Sequence, residues 1–95
     1  MISDYSMVIS NNFEITEVSG EYMLVPIGEA ALSTRGIVAI NEPVAFLLKH
    51  MNVSKSREEL VNILISNYDV NKETASHDVN NMLEKLLNLG VIIGE

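Results

Sequence analysis

Apolar and polar positions change their rhythm once along this chain, near Asn41. Before that point the period is two. Residues 13–18 read Phe-Glu-Ile-Thr-Glu-Val, an alternation that places one face of a strand on a core. Ser19-Gly20 offers a tight turn into a second β-rich run at residues 21–27, where the late Pro26 marks an edge, an end or a bulge. Gly28 opens a loop through residues 29–34, and residues 36–40 form a third short strand. Links this short make a three-stranded antiparallel meander the simplest arrangement.

After Asn41 the helical period takes over, in three segments that each begin with a start signal. Asn41 is a good N-cap, and Glu42 and Pro43 suit the first turn, where a missing N–H is harmless and negative charge is favoured. Val44, Leu47, Leu48 and Met51 then share one face. Ser56-Arg57-Glu58-Glu59 is a capping box, followed by an apolar face of Leu60, Val61, Leu64, Ile65 and Tyr68. Asn71 caps the third helix, which is expected to run to about Leu89 and to stop at Gly90. Val91-Ile92-Ile93 reads as an apolar tail, a strand stub packed back on the core. The predicted fold class is α+β: a winged-helix-like, three-stranded antiparallel meander followed by three helices. Residues 1–12 read as an N-terminal extension, and residues 13–95 as a single domain.

The third helix carries the most functional information. At about 100° per residue, Ala75, Val79, Met82, Leu86 and Leu89 fall in one narrow arc. Leu83 and Leu87 lie on one shoulder, roughly 80° to 120° from Ala75, with Ser76 and Asn80 beside them. The arc is wider than the ~100° stripe that faces a core. It predicts either a helix wrapped deeply by its domain or a second contact surface at residues 76, 80, 83 and 87.

Composition narrows the function by exclusion. The chain has 95 residues, no cysteine and 47% apolar residues, so one core held by packing alone is expected, in keeping with a reducing cytoplasm. The first six residues hold neither a basic region nor an apolar run, so no secretory signal is expected, and no segment is long enough to span a bilayer. Thirteen acidic against six basic residues give a net charge of −7, which repels phosphate backbones and anionic lipid. A DNA-binding winged helix is the main alternative reading. Its recognition helix would carry only Lys72 and Lys85 against Glu73, Asp78 and Glu84. His50 and His77 lack partners at metal-ligand spacing, Glu58-Glu59 point apart on a helix, and the glycines form no phosphate loop. No catalytic residue, metal or cofactor is expected, and the chain is read as not an enzyme.

These segments together resemble the PqqD-like family. Residues 18–22, 25–28 and 36–42 look like its hairpin and G-x-x-x-L-N-E run, and Ser56-Arg57-Glu58-Glu59-Leu60 is similar to its T-x-E-E-L helix start. Tyr68-Asp69-Val70-Asn71-Lys72-Glu73-Thr74-Ala75, then Asp78-Val79, Leu83, Leu86 and Gly90-Val91-Ile92 resemble its closing signature. Leu48 stands where many relatives carry Trp, Thr16 where many carry Arg, and Pro43-Val44 where Thr-Gly is usual. Leu48 still suits a core, whereas the missing basic residue at 16 bears on which peptide is accepted.

The resemblance implies a recognition element for ribosomally made, post-translationally modified peptides. Such a domain binds the leader of a precursor peptide as an added antiparallel strand beside the third strand, and presents it to a modifying enzyme, often a radical SAM enzyme. The expected contacts are Ile37, Val38 and Ala39 of the third strand, with Ser76, Asn80, Leu83 and Leu87 as a wall. A free third-strand edge would suit this mode. The same edge could instead pair two copies into a homodimer, and an adaptor for a folded partner is a further alternative.

Overall fold

A computed structural model of the chain describes residues 6–28 and 36–94. The loop read at residues 29–34 lies outside the described residues. Among the described residues nine elements follow in order: β1 (Ser6–Ile9), β2 (Phe13–Val18), β3 (Glu21–Pro26), β4 (Val38–Ile40), α1 (Glu42–His50), β5 (Lys55–Ser56), α2 (Arg57–Asn67), α3 (Lys72–Leu89) and β6 (Ile92–Gly94). The expected meander is present as the sheet β2-β3-β4, and the three helices follow it as read.

Local chemistry explains the boundaries. Ser19 and Gly20 both have positive φ, 53° and 82°, the two-residue turn whose twist matches a hairpin. It sets the register Val18↔Glu21 through Phe13↔Pro26. At each helix start the capping side chain accepts a backbone N–H: Asn41 from Val44, Ser56 from Glu59, Asn71 from Thr74. Glu59 completes the capping box, accepting the Ser56 N–H at 2.8 Å. Helix α3 ends at Gly90, φ 77°, where the Gly90 N–H reaches the Leu87 carbonyl and the Val91 N–H reaches that of Leu86. This is a Schellman turn, and its accompanying apolar contact is supplied by Leu86 and Val91, both buried.

From Ser6 onward, the segment read as an N-terminal extension is part of the fold. It supplies β1, the central strand of a second sheet ordered β5-β1-β6. Met7 on β1 is fully buried, and the strand's end is tied by Ile9 N–H to the Met51 carbonyl and Ser10 N–H to that of Val91. One short strand thereby joins the end of α1, the start of α2 and the C-terminal tail. Periodicity could not reveal it, because four residues are too few to show an alternation and β5 has only two.

The core is one cluster. Leu24 reaches it from the meander, Leu47, Leu48 and Met51 from α1, Leu60, Val61 and Leu64 from α2, and Ala75, Val79, Met82, Leu83 and Leu86 from α3. Leu48 is 1% exposed and fills its place in this core. On the meander, Phe13, Ile15, Val38 and Ile40 pack against this cluster, while Met23, Val25 and Ala39 turn the other way.

Truncating Met7 to Ala should cost about 2–5 kcal/mol in urea unfolding, as for a buried core side chain. An exposed extension would show almost none of this loss. A second expectation concerns acid. Hydrogen bonds that the Glu59 carboxylate accepts from Ser56, first from its backbone N–H and then from its side chain, hold the carboxyl below its ordinary pKa, with Lys55 adding to the effect. A folded pKa below the unfolded one means the cap's ionic contribution is present above the ordinary carboxyl range and is lost as pH falls through the lowered value. Glu59→Gln should therefore lower stability at neutral pH and flatten the acid limb of stability against pH.

Candidate functional site

Strand β4 is the edge of its sheet. Beyond β3 on one side, no strand pairs with it on the other among the described residues. Backbone groups alternate in direction along a strand, so this edge offers N–H and C=O groups to an incoming chain. Facing the edge is α3. A cavity of about 150 Å³ lies between them, lined by Ala39, Ile40, Asn41, Val44, Met82, Lys85 and Leu86.

The cavity shares Asn41, Val44, Met82 and Lys85 with a larger groove of about 440 Å³ between α1, the α2–α3 turn and α3. Core side chains make the groove's floor, namely Leu47, Leu64, Val79 and Met82. Pro43, Val44, Tyr68 and Val70 are its half-buried walls. Its rim is polar and exposed, with Asn41, Asp78, Asn81 and Lys85. Tyr68 is fixed edge-on to Phe46, centroids 5.6 Å apart, and Phe46 in turn to His50 at 4.8 Å. Desolvation, then the Glu42 carboxylate and Tyr22, push the Tyr68 hydroxyl's pKa up, so it stays a neutral donor. Apolar floor, polar rim and an adjoining free strand edge are the parts that strand addition requires.

The residues singled out in the sequence are divided by the fold. Ile37 is 62% exposed and immediately precedes β4. Ala39 is exposed and lines the smaller cavity, and Val38 turns toward the core. The shoulder of α3 lies elsewhere. Asn80 accepts a hydrogen bond from Arg57 Nε at 2.7 Å, so this flank meets the start of α2. Leu83 is fully buried, Leu87 packs against the core, and Ser76 is half-buried. None of these four lines either cavity. The over-wide arc is thus a deeply wrapped helix, in contact with both α2 and β6.

The flank facing β4 is the opposite one, carrying Asp78, Asn81, Met82 and Lys85. On the helix wheel these residues sit roughly 20° to 120° from Ala75 in the other direction. The sequence reading missed them because three of the four are polar and look like an ordinary solvated face. Met82, apolar on that side of the stripe, was the available signal.

With this geometry in place, the similarity to known proteins is specific. A family profile for coenzyme PQQ synthesis protein D (PqqD) matches residues 21–92. The chain belongs to the PqqD family. This PqqD-family chain also shares its fold with two solved structures. TbiB1, solved in complex with the TbiA(beta) leader peptide, superposes with a TM-score of 0.72 at 18% identity, covering 93% of this chain and 96% of that one. A lasso peptide synthetase B1, complexed with the leader peptide, gives 0.70 at 14% identity, covering 92% and 96%. No curated protein sequence gives a significant match. Among the described residues no helix is long and apolar enough to cross a membrane.

The two flanks should respond differently to mutation. Leu83→Ala should cost about 2–5 kcal/mol in chemical denaturation. Asn81→Ala, on the exposed β4 side, should stay within about 0.5 kcal/mol of wild type.

Proposed function

We propose that this PqqD-family domain binds the leader segment of a ribosomally made precursor peptide and presents it to a partner modifying enzyme, acting as an adaptor without chemistry of its own. The carrying observation is the edge of β4, unpaired among the described residues, facing α3 across an apolar groove with a polar rim. Two proteins of the same fold, each solved with a leader peptide, support the reading. The family resemblance favours a radical SAM enzyme as the partner.

In this reading the peptide adds antiparallel to β4, beside Ile37, Val38 and Ala39, and its side chains alternate between the groove and solvent. The wall is the Asp78, Asn81, Met82 and Lys85 flank of α3. Main-chain bonds supply a sequence-independent part of the affinity, and the groove supplies the rest together with selectivity. The net charge of −7 disfavours the competing DNA-binding reading and speeds encounter with basic peptides or a basic enzyme face.

Amide exchange tests the binding mode directly. A binder selected from a displayed random peptide library should slow exchange at the β4 amides that face outward, within residues 37–40, with smaller effects on the start of α2. Strand addition is wrong if a tight binder leaves every one of these amides unprotected.

A further inference from the structure

The groove is electrically polar along its length. Asp78 and Lys85 are the two charged side chains among its lining residues, and both are exposed on the same flank of α3. They stand seven positions apart, a rise of ~10.5 Å at ~1.5 Å per residue. Among the described residues no ion pair occupies either. Lys85 also lines the smaller cavity against Ala39 and Ile40, whereas Asp78 lines only the larger groove, in company with Tyr68 and Val70. The positive end therefore lies beside the β4 edge, and the negative end lies away from it. Between them the floor is apolar and buried, at Leu47, Val79 and Met82.

Strand direction turns this polarity into a reading order. β4 runs from Val38 to Ile40 and leads into Asn41, which lines both cavities. A chain antiparallel to β4 passes Asn41 before it pairs with the strand. Its upstream part therefore occupies the large groove, and its downstream part lies along β4. An extended chain advances ~3.3 Å per residue, so ~10.5 Å corresponds to about three residues.

Resting on the peptide-binding reading above, we infer that the groove selects a directional pattern in the peptide: a basic residue near Asp78, a large apolar side chain on the floor, and an acidic residue about three positions after the basic one, at Lys85, immediately before the strand-forming segment. The protein's overall negative charge attracts basic peptides from any direction. The Asp78–Lys85 pair adds what a uniform field lacks, a fixed order and register.

The test is a selection of a displayed random 16-residue library on immobilised wild type, Lys85→Glu and Asp78→Lys, with the bare support as control. Both residues are exposed, so the variants should fold as wild type does, which circular dichroism checks. Wild type should enrich an apolar anchor with a basic residue before it and an acidic one after it. Lys85→Glu should keep the anchor and the preceding basic residue while reversing the following preference to basic. Asp78→Lys should reverse only the preceding one. Each preference should be roughly two- to five-fold, as expected for exposed ion pairs. If wild type and both variants enrich the same anchor with the same charges, or if the acidic residue precedes the anchor, the directional pattern is overturned while peptide binding stands. If wild type enriches nothing over the bare support, the peptide-binding reading itself fails, and the pattern with it.

Discussion

Helix α3 has one buried stripe and two flanks, and the rest of the molecule is arranged by which flank is filled. The stripe of Ala75, Val79, Met82 and Leu86 is covered by the other elements of the core. One flank is sealed: Leu83 is buried, and Asn80 is tied to Arg57 at the start of α2. The other flank is open on its side toward β4, where the two cavities lie. Burying apolar area stabilises in proportion to that area, so a small domain gains most by closing every seam it can. A seam left open beside an unpaired strand edge is costly to stability and hazardous for aggregation, and it points to use.

The strand β1 makes the sealed side possible. With β5 and β6 it forms a second sheet, and hydrogen bonds from Ile9 and Ser10 hold the ends of α1 and α3 together. The Schellman turn at Gly90 directs Val91 and Ile92 back onto the core, so that β6 can pair with β1. The meander is thereby relieved of support duties on that side. Its outer strand β4 can be only three residues long, with one neighbour among the described residues, and still be fixed in place by Leu24↔Val38 and Tyr22↔Ile40 pairing and by the cap at Asn41.

Much of this was legible in the sequence, because the signals were local. Alternation at residues 13–18, the Ser19-Gly20 turn, the caps at Asn41, Ser56 and Asn71, and the stop at Gly90 each depend on a few neighbouring residues. What failed to show was decided by contacts distant along the chain. Strand β1 exists because residues near both ends and the α1–α2 link meet, and four residues carry no readable period. The excess width of the α3 arc was real. Its partner could not be assigned to α2 or to β4 from the wheel alone, since both lie beside the stripe. Leu83 and Leu87 looked like a contact wall for the same reason that they are core: apolar residues seek whichever neighbour excludes water.

The size of β4 limits how affinity can be divided. Three residues expose only one or two outward N–H and C=O pairs, and each net hydrogen bond contributes about 0.5–1.5 kcal/mol. Micromolar binding requires about 8 kcal/mol, beyond the cost of ordering the peptide. The main chain alone falls well short of that. The groove floor must contribute through apolar burial, at roughly 25 cal/mol per Å², which makes one large side chain worth about 1.5–3 kcal/mol. Two or more anchored side chains and a rim contact are then needed together. A short edge strand therefore makes this site depend on the peptide's side chains, and an adaptor that depends on side chains discriminates among peptides in a way that a long, flat edge would not.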